Sequence, residues 1–356
     1  MTVVRLSEQV RQVESGRPAG SGQPAERVSP AESGSPADGG QAAECMRMSE
    51  NGRAVRDERK FGVLVMSHGS RDPEWVRLID EAVAGMEVPA GTPVESSFLE
   101  LVEGRLIQDG IDRLEEQGVT DIIAIPLFVC SGSNHVAEIL QALGLPPIGT
   151  AGREDRPGIG MTAGPVLLSA EPALLPAEPA LTPDDPLPPF RLTARVHGCA
   201  PLDDCPEMED ILSSEAMSLS EAPGREMVLL VGHGNGKPGM HRLWIRMLGS
   251  LAGRVRERCG FAAADYATLL PDELASKMSA WEQARPELRK IVLPLFLSEG
   301  YFTKQAIPSR LKGFSYVYDG RALLPHPLVS GWLTRQAALF LRQTESANES
   351  AKENDA

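Results

Sequence analysis

The chain repeats one pattern of strands and helices, and this repeat constrains the fold more than any other feature. The stretch FGVLVMSHGS at 61–70 is an apolar run that ends in histidine and glycine, and MVLLVGHGN at 227–235 has the same form. Further along, DIIAIPLFVCSG at 121–132 matches KIVLPLFLSEG at 290–300. Short apolar runs of this kind are typical of strands buried on both faces of a parallel sheet.

The spacing of the two copies also agrees. The distance from the histidine to the proline of the second motif is 58 residues in the first copy and 61 in the second. Near the end of each copy, RVHGCAPLDDCPEMEDIL aligns with YVYDGRALLPHPLVSGWL, which pairs Pro206 with Pro327 at an offset of 121. The chain therefore contains a duplicated domain.

Segments with apolar residues at helical spacing lie between the strand-like runs. Examples are PEWVRLIDEAVAGM and GRLIQDGIDRLEEQG, the second closed by a glycine. Strands that alternate with helices predict right-handed crossovers and parallel pairing. We therefore expect an α/β protein with two duplicated Rossmann-like domains, each a parallel sheet flanked by helices.

Composition sets the expected domain limits. Residues 1–58 are rich in Gly, Ser, Pro, Ala, Glu and Arg and cannot bury a core, which predicts a disordered, dispensable extension. The first domain is expected at 59–217, with a proline-rich insertion at about 144–190. The second, degenerate domain is expected at 226–343, and the polar stretch 344–356 as a disordered tail.

Charge and composition exclude several classes of partner. The net charge of −14 argues against binding to nucleic acid or to an anionic membrane. No run of eighteen apolar residues and no secretory signal is visible, and five cysteines suit a reducing cytosol. We expect a cytoplasmic protein, and a monomer, because the duplication supplies both halves of a cleft.

Two histidines follow strands that should end at the same edge of the first sheet. His68 ends the first strand, and His135 begins the helix after the third. Glu100 closes the second strand, and Glu138 lies one helical turn beyond His135. Ligands of open parallel sheets bind at this edge, and two neutral imidazoles suit Fe, Co, Ni, Cu or Zn rather than Mg or Ca. The residues alone leave the reaction open, because a histidine after a strand is more often a capping or packing residue.

The motifs VLVMSHGSRDPEW, FLEL and IPLFVCSGSNHVAEI resemble those of the sirohydrochlorin chelatases, the CbiX or SirB group. The resemblance covers most of 61–141, is weaker over 191–217, and recurs across 227–340. It implies insertion of a divalent metal, Co²⁺ or Fe²⁺ with Ni²⁺ also conceivable, into sirohydrochlorin without ATP or another cofactor. By this resemblance His68 and His135 would bind the metal and abstract protons, with Glu100 as a third ligand or acid/base.

Residues beside the two histidines are the candidates for substrate binding. They are Ser67, Gly69, Ser70, Arg71, Ser131 and Gly132, together with His233 of the back half. A substrate with eight carboxylates also requires cations in the cleft. The candidates for that role are Arg71, Arg105, Lys304 and Arg310.

The back half departs from the pattern. His233 is kept, but Phe302 or Thr303 stands where the second histidine should be, and Thr268 is expected in the place of Glu100. A site with one imidazole cannot repeat the two-imidazole chemistry. We therefore expect the second domain to form a wall of the cleft.

Several of these residues also suit other interpretations. A phosphohistidine enzyme is disfavoured because Ser67 stands where an arginine should hold phosphate. A metal or tetrapyrrole carrier using the same cleft without turnover stays open. His197, Cys199 and Cys205 lack the paired spacing of a structural zinc site and are expected to bind no metal. His241 and His326 are expected to be ordinary surface or packing residues, and Cys130 a small buried thiol.

Overall fold

The computed structural model describes residues 59–148, 168–169 and 187–353. All elements below belong to the unit Glu58–Ala356. The predicted disordered extension and most of the predicted proline-rich insertion lie outside the described residues.

The first half of this unit forms a five-stranded sheet. Its elements are β1 (Phe61–Ser67), α1 (Pro73–Ala84), β2 (Val94–Phe98), α2 (Ile107–Glu116), β3 (Asp121–Pro126), α3 (Asn134–Ala142), β4 (Leu168–Ser169), β5 (Arg195–Gly198) and α4 (Pro206–Leu219). The strand order is β2-β1-β3-β5-β4. All pairs are parallel except β4 with β5, which is antiparallel.

The second half repeats this topology with a smaller sheet. Its elements are a 3₁₀ turn (Pro223–Arg225), β6 (Glu226–Gly234), α5 (Pro238–Cys259), β7 (Ala263–Leu270), α6 (Leu274–Ala284), β8 (Arg289–Pro294), a π-helical turn (Phe302–Ala306), α7 (Ile307–Arg310) and α8 (Pro327–Glu353). The order β7-β6-β8 is parallel throughout. A parallel bridge from Val317 to Ile291 stands where β5 lies in the first sheet.

The elements follow from local sequence as predicted. Six of the seven residues of β1 are fully buried, as expected of a strand covered on both faces. Asp72 caps α1 by accepting a 3.0 Å hydrogen bond from the Glu74 amide, and Pro73 occupies the first helical position. Helices α4 and α8 begin at Pro206 and Pro327, the pair aligned in sequence. The predicted α/β fold with helix-flanked parallel sheets is confirmed.

The two halves exchange their last helices. Helix α4, from the first half, packs against β8 and α5 of the second, whereas α8 packs against β3 and α1 of the first. Arg335 of α8 forms a two-pronged ion pair with Glu207 of α4, with N–O distances of 2.7 Å. Apolar side chains of both halves, including the fully buried Trp332, form one continuous core. The sheets are therefore held side by side by a shared interior.

Helix α8 runs further than the sequence suggested. It ends at Glu353 and includes most of the segment 344–356 that we expected to be a disordered tail. Extending an existing helix adds one hydrogen bond per residue without a new nucleus, and Ala, Glu and Lys of this segment are good helix formers. Across the described ranges, no helix has the length and apolar character needed to span a bilayer.

Candidate active site

The two predicted histidines of the first half lie against each other. His68 directly follows β1, and His135 is the second residue of α3, which begins after the loop that leaves β3. Because β1 and β3 are paired neighbours, with Met66 opposite Pro126, both side chains emerge at one edge of the sheet. The imidazole rings meet edge to face, with centroids 4.6 Å apart.

The hydrogen bond of His68 defines which nitrogen is available. Its Nδ1 lies 2.9 Å from the carbonyl oxygen of Gly69. A carbonyl only accepts, so Nδ1 carries the proton and Nε2 keeps its lone pair in the neutral ring. Nε2 lies 3.6 Å from Oε1 of Glu100, which is beyond hydrogen-bond distance but close enough for both to contact one cation.

His135 has the same tautomer as His68, but a different group accepts the hydrogen bond from its Nδ1. Its Nδ1 lies 3.1 Å from Oε2 of Glu138, one turn further along α3. A carboxylate accepts from the ring N–H, which fixes the orientation of the ring. The first half therefore presents two imidazoles that both keep Nε2 unprotonated.

Glu100 lies in the turn after β2 rather than in the strand, which ends at Phe98. The Glu100 amide donates to the carbonyl of His68 over 3.1 Å, so the histidine backbone holds this turn. Gly69 has φ of 100°, and a Cβ there would overlap the Glu100 carbonyl oxygen. Glycine is thus required for the close approach of the His68 and Glu100 segments.

Both halves line one cavity of about 600 Å³ at this edge. His68 and His135 lie on the first-half side and His233 on the second-half side. Much of the remaining wall is apolar and aromatic; it includes Trp75, Phe128, Trp244, Leu270, Phe296 and Phe302. The volume falls within the usual range of small-molecule sites, roughly 300–1,000 Å³.

Lys237 is the one lysine or arginine among the described residues that line the cavity. It is the N-cap residue of α5, and sequence analysis missed it because no motif singles it out. Of the cations proposed from sequence, Arg71 is exposed and does not line the cavity. The other three form ion pairs outside it: Arg105 with Asp80, Lys304 with Glu299, and Arg310 with Asp272.

The small residues beside His68 are structural. Ser67 is fully buried and its hydroxyl is among the buried polar atoms without a hydrogen-bond partner. Ser70 accepts a 3.1 Å hydrogen bond from the Asp72 amide and so shapes the turn into α1. Neither residue lines the cavity, and the sequence-based expectation of substrate contact therefore has no support from their positions.

The residues before His135 anchor a loop. Ser131 donates to the Asp203 carboxylate with its amide, over 2.7 Å, and with its hydroxyl. Burial raises the pKa of the Asp203 carboxyl to about 6, although the hydrogen bonds from Ser131 oppose that shift. Gly132 lies against Trp244 of the second half and does not line the cavity.

In the second half, His233 keeps the backbone geometry of His68. Its Nδ1 lies 3.0 Å from the Gly234 carbonyl oxygen. The ring that meets it edge to face is that of Phe302, with centroids 5.0 Å apart. Thr303 is buried and its hydroxyl bonds to the Gly300 backbone. Phe302 is therefore the counterpart of His135.

The expected counterpart of Glu100 was wrong. Strand register places Ser67 opposite Phe98 and, in the second sheet, Gly232 opposite Thr268. Thr268 thus corresponds to Phe98, and Leu270 corresponds to Glu100. The error arose because α5 has 22 residues and α1 has 12, which shifts the spacing between histidine and second strand.

The four cysteines of the described residues lie apart from the imidazole pair in their chemistry. Cys130, Cys199, Cys205 and Cys259 are free thiols, and burial raises the pKa of Cys205 to about 12 and that of Cys130 well above its usual value. His197 instead bonds to the buried Asp121 carboxylate, with Nε2 2.9 Å from Oδ1. Within residues 59–148, 168–169 and 187–353, no group of three or more His, Cys, Asp or Glu side chains is arranged to hold a metal ion. The first-half site therefore offers an imidazole pair rather than a closed coordination shell.

Two sheets of the same topology, with an apolar cavity between them, form a chelatase-like fold. The fold matches SirB from Bacillus subtilis, solved with Fe³⁺, at a TM-score of 0.53 over 82% of this chain and 98% of SirB. Sequence identity is 18%, so this likeness concerns the fold.

The sequence of the first half is similar to a known family. Residues 62–218 match the family model described as CbiX. A curated relative, the sirohydrochlorin cobaltochelatase of Methanopyrus kandleri, is 33% identical over 87 residues. That alignment covers 24% of this chain and 59% of the relative, so the chain spans less than two thirds of that protein's length. The resemblance drawn from the motifs of the first half is confirmed over residues 62–218.

Proposed function

We propose that this protein inserts a divalent metal ion, Co²⁺ or Fe²⁺, into sirohydrochlorin without ATP. The observation that carries the proposal is the edge-to-face pair of His68 and His135 in a cavity of about 600 Å³ with largely apolar walls. The family of residues 62–218 and the activity named for the Methanopyrus relative support the same reaction.

The imidazole pair is suited to a metal that is a substrate. Two neutral nitrogens hold Co²⁺, Fe²⁺ or Ni²⁺, and a complete set of thiolates would favour Zn or Cu instead. Because the protein supplies two nitrogens and a nearby carboxylate rather than a closed shell, the other positions on the metal stay open to water and then to the macrocycle. The metal can therefore be transferred.

Metal insertion releases two pyrrole N–H protons, and the site has acceptors for them. Once Nε2 of His135 takes a proton, the ring becomes cationic beside the Glu138 carboxylate, 3.1 Å from Nδ1, and that pairing stabilises it. His68 has Glu100 at 3.6 Å from Nε2, and the Glu100 side chain is 54% exposed. One water between the two groups would carry a proton from His68 to Glu100 and from there to solvent.

The walls of the cavity fit a planar macrocycle with acidic side chains. Aromatic faces of the second half, including Phe302 and Trp244, offer apolar surface for the ring. Lys237 offers one cation to a substrate carboxylate. The substrate's other carboxylates are left to solvent at the mouth of the cavity.

A turnover assay tests the proposal. The protein would be incubated with an excess of sirohydrochlorin and with Co²⁺, Fe²⁺ or Ni²⁺ in turn, and the absorption change of the metallated product followed. We expect many product molecules per protein molecule with at least one metal, and the ratio of kcat/KM values identifies the preferred one. If the product were limited to one equivalent per chain, the protein would be a carrier and not an enzyme. If metallation did not exceed the uncatalysed rate, the proposal would be refuted.

A further inference from the structure

The loop that leads into His135 is held by the second half of the chain. This loop runs over 127–133, between β3 and α3. The carbonyl oxygen of Gly132 accepts two hydrogen bonds from the other half, one from Asn235 Nδ2 at 2.9 Å and one from Trp244 Nε1 at 3.1 Å. Both donors are buried, with 8% and 5% of their surfaces exposed.

Asn235 makes a second contact to the same segment. Its Nδ2 lies 3.1 Å from Oδ1 of Asn134, the residue immediately before His135. Its own Oδ1 accepts from the Lys237 amide over 2.8 Å, which fixes the orientation of the side-chain amide. Each polar atom of the Asn235 amide group therefore has a defined role, and the donor end is directed at the His135 loop.

The close approach requires glycine at 132. A Cβ there would lie 2.5 Å from the Met240 carbonyl oxygen and 2.7 Å from Trp244 Cδ1. On its other side the loop is tied to its own half, because Ser131 donates to the Asp203 carboxylate. Three of the four residues before His135, namely Ser131, Gly132 and Asn134, are thus bonded to or packed against groups of one half or the other.

Among the described residues, Ser70, which occupies the equivalent position of the first half, makes no such contact with the other half. Ser70 and Asn235 each lie two residues after the strand-end histidine, and each accepts an amide hydrogen bond from the residue two further on. The serine hydroxyl stays within its own turn, whereas the longer asparagine reaches across to Gly132 and Asn134. The additional hydrogen bonds of Asn235 therefore stabilise the loop of the half that contains the imidazole pair.

We propose that Asn235 and Trp244 are positioning residues for His135, so that the second half sets the geometry of the imidazole pair as well as forming a wall. Their amide and indole N–H groups fix the Gly132 carbonyl, and with it the first turn of α3. The kinetic part of this inference rests on the proposed metal insertion. The metal-binding part concerns the histidines alone.

Two variants remove the donors with little change in size. Asn235→Asp keeps the oxygen that accepts from Lys237 but replaces the donor to Gly132, and Trp244→Phe removes the indole N–H. Ser250→Ala is the matched control, because it deletes a 2.9 Å hydrogen bond between the halves, from Ser250 Oγ to Asp204, away from the loop. Folding of each variant is checked by its circular-dichroism spectrum.

The primary readout is NMR of histidine-labelled full-length protein titrated with Co²⁺ alone, with His68→Ala and His135→Ala to assign the signals. Both donor variants should shift the His135 signals and weaken their Co²⁺-induced broadening about tenfold, and Ser250→Ala should leave them unchanged. In the insertion assay, kcat should fall by about tenfold or more with little change in KM, since a misplacement of about 1 Å costs up to a hundredfold.

A wild-type His135 spectrum and Co²⁺ response in Trp244→Phe would overturn the proposal, even if Asn235→Asp failed to fold. An equal loss in Ser250→Ala would also overturn it, because the effect would then be general loosening between the halves. If the wild-type protein inserts no metal, the proposed function fails, while the Co²⁺ titration still decides whether these residues position His135.

Discussion

The two halves of the chain place a histidine at the same point of the same fold and give it different neighbours. In the first half His68 meets a second imidazole, with ring centroids 4.6 Å apart, and has a carboxylate 3.6 Å from Nε2. In the second half His233 meets the phenyl ring of Phe302, and Leu270 stands in the place of the carboxylate. Both histidines bond through Nδ1 to the carbonyl of the following glycine.

The comparison separates backbone geometry from chemistry. The strand end, the glycine and the Nδ1–carbonyl bond recur in both halves, so they belong to the repeat itself. The second imidazole and the carboxylate occur in the first half only. The duplicated fold has thus kept the position of the histidine in both halves, whereas the second imidazole and the carboxylate lie beside it in one half.

The largest expected difference is between His68 and His233. His68→Ala and His135→Ala should each lower kcat/KM for metal insertion by at least about two orders of magnitude, or roughly 2.7 kcal/mol, because each removes both a metal donor and a proton acceptor. His233→Ala should lower it by less than about tenfold, since it removes part of a wall. The three variants are compared with one metal and one substrate.

Circular dichroism serves as the control for this experiment, since all three side chains are half-buried and their loss should leave the fold intact. Equal losses for His68 and His233 would mean that both halves contribute to the site on equal terms. A larger loss at His233 would place the reaction in the second half.

Substitutions at the two equivalent glycines, Gly69 and Gly234, distinguish an effect on stability from an effect on activity. Gly69 and Gly234 have φ of 100° and 77°, and a Cβ on either would overlap a carbonyl oxygen, that of Glu100 or of Leu270. Each change to alanine should therefore lower the free energy of unfolding by a similar amount, about 2 kcal/mol. Gly69→Ala should in addition reduce insertion activity of the folded fraction, because Glu100 must move away from His68.

Chemical denaturation gives the stability of the two glycine variants, and kinetics at a temperature where both are folded gives the activity. The difference between the halves would be lost if Gly234→Ala reduced activity as strongly as Gly69→Ala.

Asp203 gives the first half a pH dependence that the equivalent position of the second half lacks. Its backbone equivalent is Leu324, because the amides of both residues donate to matching carbonyls beside the third strand of each sheet, Val129 and Leu297. Burial raises the folded-state pKa of Asp203 to about 6, above the unfolded value near 3.9. The folded state then binds the proton more tightly, so this group's contribution to stability is full below about pH 4 and is lost as the pH rises through about 6.

Asp203→Asn should therefore remove a stability change on the order of 2 kcal/mol between about pH 4 and pH 7. Thermal melting of the wild-type and variant proteins across that range measures it, with all other groups in common. If the melting temperatures of the two proteins changed with pH in parallel, Asp203 would not titrate between about pH 4 and pH 7.

Sequence patterns predicted the architecture because its signals are local. Buried strands, helix starts at proline and the pairing of Pro206 with Pro327 depend on residues a few positions apart, and the structure has these elements where expected. The meeting of His68 and His135 was predictable too, because adjacent parallel strands end at one edge.

The parts that sequence could not give depend on contacts between distant segments. The exchange of α4 and α8 leaves no periodic signal, since an amphipathic helix does not specify which sheet it covers. Asn235 ends the MVLLVGHGN motif and Lys237 lies two residues beyond it, but the motif assigns neither of them a role. Their roles arise from the packing of one half on the other. The wrong counterpart for Glu100 shows the limit of spacing alone. Spacing does not identify equivalent residues where one helix is nearly twice as long as its counterpart.

The smallest expected effect comes from restoring the lost imidazole. Phe302→His would place a second ring beside His233, at the position where Phe302 now makes its edge contact over 5.0 Å. In a His68→Ala background, where the first pair is broken, this change should raise Co²⁺ affinity by about tenfold, roughly 1.4 kcal/mol for one added donor. Insertion activity should stay low, because Leu270 supplies no carboxylate and Phe302 begins a π-helical turn rather than a regular helix.

Titration of the double variant with Co²⁺, compared with His68→Ala alone, measures the gain in affinity. Thr303→His is the control, since the side chain at that buried position bonds to the Gly300 backbone. If Thr303→His bound Co²⁺ and Phe302→His did not, Phe302 would not be the counterpart of His135.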